Sequence, residues 1–537
     1  MPQIPQNPQP PRRPNPGRPY DPQGAHPYPP VRRNPAPKPN GQPRPQNPGG
    51  PYPPRNPENP QFPPRRRPPK KPTGPNIPLI IAIVLLVIGT AVMIALCVNL
   101  AKDSSKPVPT GTAPVLETTE GKNSFWKDEE PETEAPAELN QVVSTAKFTA
   151  TGDLLIHRSL FNGSSAANLG DKGYNFDTVF KFLGGYTDTA DYAIANLETT
   201  LFGPGKPYSG NPKFNTPDAL VDSAKAAGFD MLLTANNHCN DTDLEGILRT
   251  LKVVREKGLK TLGTNLTNEE EKYVIEDVNG IKVGMLCYTY EDSQNPNVET
   301  FNYNPLPSKG KGLVCAFPKF ENAKSREPFY TALAQQIEEM REKGAEAIVL
   351  FMHWGEEYQL EASQDQKNMA QKLCDLGVDL IVGGHPHVVQ PMELLTSTTD
   401  PDHKTVCLYS MGNAVSNQRR EEMSSRPTGH TEDGMLFNFT FEKYSDGTVA
   451  LGSVEVIPTW VDMHNNADGK REYNILPLEN ARRSEWGTLF GLDAGRLPSL
   501  DASYQRTMDI VGTGLEASNS YLTSLKQEIL GIPADAA

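Results

Sequence analysis

The chain has 537 residues, a formal charge of −13 and 52 prolines, and neither charge nor proline is evenly spread. Residues 1–76 hold 29 of the prolines and 13 Lys/Arg against Asp21 and Glu58, a local charge of +11, while the other 461 residues carry 39 Lys/Arg against 63 Asp/Glu, or −24. This excludes one compact domain running from Met1, and six scattered cysteines without Cys-x-x-C or zinc-finger spacing exclude a disulfide scaffold.

Residues 1–76 nearly lack aliphatic side chains and cannot bury a core. The composition predicts a disordered, polyproline-II-like cytoplasmic tail, either simply solvated or offered to SH3-like domains. Leu79 to Leu100 then form 22 residues without a charge, with Asn99 the one strongly polar side chain. At about 1.5 Å per residue this run can cross a hydrocarbon core of about 30 Å, so residues 77–100 read as a transmembrane helix. Arg65, Arg66, Arg67, Lys70 and Lys71 precede it, and acids gather after it. The positive-inside rule then gives a single-pass plasma-membrane protein, with its N-terminus cytoplasmic and its C-terminal domain extracellular. Cys97 follows Leu96 rather than a small residue, so it reads as an ordinary membrane residue, not a lipoprotein site. Residues 101–143, rich in Ser, Thr, Pro and Glu, read as an acidic stalk.

From Ala146 short apolar runs alternate with helical periodicity, which predicts an α/β domain. Strands are expected at Lys147–Ala150, Tyr192–Asn196, Met231–Thr234, Ala347–Met352, Asp379–Val382 and Val406–Ser410. Helices are expected at Ala219–Ala227, Leu244–Lys257, Pro328–Lys343 and Gln364–Leu376. Asn279-Gly280 and Asp446-Gly447 each sit between strand-like runs and predict hairpins. The domain is expected over 144–465, followed by a C-terminal helical appendage over 466–537.

Nearly every expected strand runs into a polar cluster: Asp153 and His157, Asn196 and Glu198, Asn236-Asn237-His238, His353, and His385-Pro386-His387. Ligands of open α/β sheets bind outside the carboxyl ends of the strands. Each cluster alone reads as a helix cap or a turn; five together, holding five of the nine histidines, point to one site. Carboxylate, amide and imidazole donors suit Mn, Fe or Zn, and the lack of cysteine donors argues against a structural zinc.

Six segments also occur in a recognisable order: Gly152-Asp153-Leu154-Leu155-Ile156-His157, Asn196-Leu197-Glu198, Ala235-Asn236-Asn237-His238, His353-Trp354-Gly355, Gly384-His385-Pro386-His387, and Ser410-Met411-Gly412-Asn413. Over residues 146–418 this set resembles the CapA capsule-synthesis family, the poly-gamma-glutamate capsule biosynthesis proteins. That family is a branch of the calcineurin-like metallophosphoesterase superfamily. The resemblance implies a four-layer α/β/β/α sandwich with two divalent metal ions at the strand ends. It implies metal ligation by Asp153, by Glu198 or Asn196 at the bridging position, by Asn237, His353, His385 and His387, with His157 also in the first motif. It implies His238 as general acid. Two departures stand out: three residues separate Asp153 from His157 where the superfamily has one, and the bridging acid is Glu.

Two functions stay open at this point. One is a membrane-anchored metal-dependent hydrolase acting on an extracellular polymer or envelope phosphoester during capsule or poly-gamma-glutamate synthesis. The other is a non-catalytic assembly or export subunit that works with capsule-polymer synthesis and export partners. Nucleic acid is not expected as a partner, since the basic tail is proline-broken and lacks interleaved aromatics.

Overall fold

The computed structural model describes residues 139–295, 297–321 and 324–532. The basic tail, the apolar run at 77–100 and residues 101–138 of the expected stalk lie outside the described residues. Among the described residues no helix is long and apolar enough to cross a membrane.

In chain order the strands are β1 (Val142–Leu154), β2 (Tyr192–Asn196), β3 (Met231–Leu233), β4 (Lys260–Leu262), β5 (Tyr273–Val278) and β6 (Ile281–Glu291). There follow β7 (Thr300–Phe301), β8 (Asn304–Pro305), β9 (Ala316–Pro318), β10 (Ala347–His353), β11 (Leu380–Gly384) and β12 (Val389–Thr396). The last are β13 (Lys404–Met411), β14 (Asn413–Val415), β15 (Asp433–Tyr444), β16 (Val449–Asn465) and β17 (Arg471–Pro477). One sheet runs β17-β16-β15-β1-β2-β3-β4 with β14 beside β1, and a second runs β12-β13-β11-β10-β6-β5 with β9 beside β6. The site-bearing neighbours β1/β2, β2/β3, β6/β10 and β10/β11 are all parallel, so their carboxyl ends share an edge.

Both faces of these strands are buried, which is why they read as continuous apolar runs. In β2, Tyr192 and Ile194 enter the core between the sheets, where they join Val349, Val382 and Leu408 of the second sheet. Ala193 and Ala195 point the other way, onto Leu220, Val221 and Ala224 of the helix Ala219–Ala226 and Val254 of the helix Asp243–Glu256. On the outer face of the second sheet, Leu286, Leu350 and Ile381 pack on Leu333 and Ile337 of the helix Glu327–Glu342 and on Leu373 of the helix Gln364–Asp375. The layers are therefore helix, sheet, sheet, helix. Ser363 and Gln366 close a capping box that starts the last of these helices. Asn279 and Gly280 take φ of 55° and 82°, the left-handed pair that a two-residue hairpin between β5 and β6 requires.

Two boundaries differ from the sequence expectation. Val142 already belongs to β1, inside the expected stalk. The segment after 465 is not an appendage: β17 extends the first sheet, and the helix Leu497–Ile529 reaches both sheets. Its Val511 and Leu522 enter the core between the sheets. Its Asn519 side chain accepts from Val454 N at 3.2 Å and donates to Val454 O at 2.9 Å on β16. On the other side Gly514 lies so close to β12 that a Cβ would stand 1.9 Å from Met392 O. Half of the buried positions of this helix are polar, Ser503, Thr507 and Ser518 alternating with Leu500, Val511 and Leu522, so its packing seam shows only a broken apolar stripe.

Candidate metal centre

Strand register assembles the site. Asp153 pairs with Asn196 across β1 and β2, and His353 pairs with Gly384 across β10 and β11. Glu198 follows β2, Asn237 and His238 follow β3, and His385 and His387 follow β11. The two histidines share one side because the chain bends at both, with φ of 97° at His385 and 57° at His387. A Cβ at Gly384 would stand 3.2 Å from Asp153 Oδ1, so a larger residue there would press on that carboxylate.

The donor atoms fall into two groups that share one residue. Glu198, His353 and His385 offer atoms within 4.8 Å of one another, and so do Asp153, Glu198 and His387. Glu198 Oε1 is 3.4 Å from His353 Nε2 and 3.9 Å from His387 Nε2. Asn237 Oδ1 is 2.9 Å from His353 Nε2, which puts the amide beside the first group. Asp153 Oδ2 is 3.1 Å from His387 Nδ1, and its Oδ1 accepts from Asn196 Nδ2 at 2.7 Å. Asn196 therefore holds Asp153 in place, and Glu198 is the residue common to both groups.

Electrostatics shows what this cluster needs. Burial pushes the Glu198 carboxyl well above its usual pKa, and the charge of Asp153 adds to the push. Burial acts on Asp153 in the same direction, but the hydrogen bond and charge of His387 outweigh it and hold that carboxyl below its usual value. Burial drives His353 down to about 3 and His385 well below the ordinary imidazole value. The imidazoles are thus neutral and have lone pairs to offer. Both Glu198 oxygens and His385 Nδ1 are buried without a hydrogen-bond partner. An unpaired buried carboxylate costs several kcal/mol, roughly, so this set is incomplete as it stands. Donors bound at about 2.1 Å to one tetrahedral ion stand about 3.4 Å apart, close to the spacings here, so the residues fit divalent cations.

His238 stands beside these groups with Nδ1 2.7 Å from Asp241 Oδ2, and that oxygen also accepts from Phe214 N at 2.6 Å. The contact to Asp241 leaves Nε2 as the free ring nitrogen. His157 belongs to neither group. Its Nδ1 is 3.2 Å from Leu155 O and 3.4 Å from Asn417 N, and its ring meets Phe214 edge-on at 5.3 Å. It lines a separate cleft of about 550 Å3 with Arg158 and Lys213, and burial lowers its pKa to about 4.

Several residues here carry no signal in the sequence. Tyr290 Oη is 3.4 Å from His385 Nε2, and Asn302 Nδ2 is 3.4 Å from His238 Nδ1. With Tyr303, Lys319 and Arg426 they wall a cleft of about 630 Å3, lined also by Glu356, Glu357 and Tyr358 just after the His353 motif and open to His385 and Asn237. Asn413 is not at the donor atoms. Its amide donates to His387 O at 3.2 Å and Thr431 O at 3.0 Å, tying β14 to the histidine turn.

A family model described as Bacterial capsule synthesis protein PGA_cap matches residues 147–418. The chain is 29% identical over 328 residues to Capsule biosynthesis protein CapA of Bacillus anthracis, covering 58% of this chain and 70% of that one. It is 27% identical over 293 residues to PGA biosynthesis protein CapA of Bacillus subtilis, covering 54% of this chain and 66% of that one. Among solved structures, Sulfate thiohydrolase SoxB of Termus thermophilus aligns with 68% of this chain and 60% of its own at 13% identity, with a TM-score of 0.32. The motifs at the strand ends all lie within the matched stretch, and the chain belongs to the bacterial capsule synthesis family PGA_cap, alongside the CapA proteins.

Proposed function

We propose that this protein is a membrane-anchored, extracellular CapA-like hydrolase of capsule or poly-gamma-glutamate production, with a site for two divalent ions. The observation that carries the site is Glu198: one buried carboxylate, without a hydrogen-bond partner, common to two donor groups. Asp153, Glu198 and His387 would hold one ion, and Glu198, His353, His385 and Asn237 the other. Such a pair would supply Lewis-acid polarisation of a phosphoryl or acyl oxygen and would make a water more acidic. Asn196 keeps Asp153 oriented through its 2.7 Å hydrogen bond. His238, with Nδ1 engaged by Asp241, presents Nε2 to hand a proton to the leaving group.

The anchoring half of the proposal rests on the 22 uncharged residues from Leu79 to Leu100 and on the basic residues before them. Synthesis and export subunits of the same polymer are the partners this placement favours. The direct test is turnover by the metal-loaded protein of a phosphomonoester, a phosphodiester and a gamma-glutamyl amide. Hydrolysis of one class that disappears in Asp153→Ala supports the proposal. Metal uptake without turnover of any class would leave only a non-catalytic assembly role.

A further inference from the structure

The two ring nitrogens of His385 are treated differently. Nδ1 is buried without a hydrogen-bond partner, while Nε2 stands 3.4 Å from the Tyr290 hydroxyl, at the long end of hydrogen-bond range. Among the described residues neither Nε2 nor that hydroxyl has another hydrogen-bond partner.

The fold fixes where Tyr290 stands. It is the penultimate residue of β6, a strand that carries none of the donor residues. On one side β6 runs parallel to β10 with Thr289 opposite His353, and on the other Tyr290 itself pairs with Phe317 of β9. The side chain is buried, and its ring meets the His385 ring edge-on at 4.9 Å and 72°. Lys319, 3.6 Å from Glu356, stands 4.5 Å over the same ring. The hydroxyl is thus delivered to Nε2 by a strand held on both sides and a ring held on its face.

A neutral imidazole has one N–H and one lone pair, and a tyrosine hydroxyl can accept as well as donate. A proton on Nδ1 would be buried without an acceptor, at a cost of about 1–3 kcal/mol, and would leave the lone pair facing the phenol. A proton on Nε2 meets the phenol oxygen, and Nδ1 then has its lone pair free for the group that His385 shares with Glu198 and His353. The hydrogen bond at one ring nitrogen decides what the other can ligate.

We propose that Tyr290 is a positioning residue for one of the two ions: its phenol oxygen accepts from His385 Nε2, fixes the tautomer and rotation of that ring, and so presents Nδ1 to the ion held with Glu198 and His353. Tyr290 is not a ligand and makes no hydrogen bond to Asp153 or His387, whose group is oriented by Asn196 instead. Its effect therefore falls on one ion and not on the other. The inference rests on the reading of this cluster as a two-ion centre, and its test separates the two.

Full-length protein stripped with chelator is dialysed against graded free concentrations of manganese and, in parallel, of zinc, and bound metal is counted by mass spectrometry. Wild type is expected to take two ions per chain. Tyr290→Phe removes only the hydroxyl. It is expected to bind one ion as wild type does and the other roughly 10–100-fold more weakly, the usual loss when a ligating histidine loses its hydrogen-bond partner. The melting temperature of the stripped variant should stay close to that of stripped wild type, which a packing defect would lower. Two ions bound with wild-type affinity by Tyr290→Phe, or both ions weakened equally, overturns the proposal and leaves the two-ion reading in place. Wild type that takes up neither metal overturns the two-ion reading and this proposal with it.

Discussion

Glu198 Oε1 lies 3.4 Å from His353 Nε2 although Glu198 follows β2 of one sheet and His353 ends β10 of the other. A cation held between them would clamp β2 of one sheet to β10 of the other. Metal removal should therefore act on stability as well as on activity. A ligand at about a hundred times its Kd stabilises the folded state by about 2.7 kcal/mol. Chelation of the full-length protein should lower its melting temperature by several degrees, and Glu198→Gln should abolish the difference between loaded and chelated protein. Differential scanning calorimetry reads both, and a melting temperature indifferent to chelator would speak against the clamp.

His238 and Asp241 should separate proton transfer from metal binding. With Nδ1 2.7 Å from Asp241 Oδ2, His238 has a fixed orientation and no direct place among the donor groups. His238→Ala should lower kcat on any ester or amide that wild type turns over by roughly 10²–10⁴, with metal content intact. Asp241→Asn should give a smaller loss. Loss of metal in His238→Ala would make it a ligand rather than an acid.

Asp433 supplies a pH dependence away from the donor atoms. Burial outweighs the Arg506 guanidinium, which donates at 2.6 and 2.7 Å, and the Ser503 hydroxyl, and lifts the carboxyl to about 6. An acid whose pKa is raised on folding holds its proton better in the folded state. Its favourable contribution is complete below the unfolded value and is lost as pH rises through about 6. The shift corresponds to about 3 kcal/mol at most. Chemical denaturation at steps between pH 4 and pH 7 should show wild type losing stability relative to Asp433→Asn. Parallel curves for the two proteins would show that Asp433 does not titrate in this window.

Two glycines of the C-terminal helix should respond in opposite directions. A Cβ at Gly512 meets nothing within 4 Å, so Gly512→Ala should gain the usual helix propensity, about 0.5–1 kcal/mol. A Cβ at Gly514 would stand 1.9 Å from Met392 O, a backbone atom that cannot swing aside. Gly514→Ala should lose roughly 1–3 kcal/mol despite the same propensity gain. Urea midpoints of the two variants check this, and equal shifts would mean that the helix does not seat on β12 as described.

The same helix shows where sequence reading stops. Strands β2, β10 and β11 announced themselves because both faces are buried and a polar cluster follows each. The seam, where Ser503, Thr507 and Ser518 interrupt Leu500, Val511 and Leu522, has no such signature, because close backbone approach at Gly514 shares the contact with the apolar side chains. Within the site the residue types were legible, but their division of labour was not. Register decides it: Asn196 faces Asp153 in the β1/β2 pairing, and Glu198 lies two residues on, past the strand end. His157 follows the buried Leu155 and Ile156, which turn it toward Asn417 and Phe214 instead of the donor groups. Asn302 and Tyr303 belong to a hairpin whose strands are two residues each, too short for any periodicity to register.

A two-ion centre organised by Glu198 is tested by the metal content of purified full-length protein beside that of Glu198→Ala. About two divalent ions per chain are expected in wild type and nearly none in the variant, because the missing carboxylate serves both groups. Wild type without divalent metal, or a variant that keeps both ions, would contradict it.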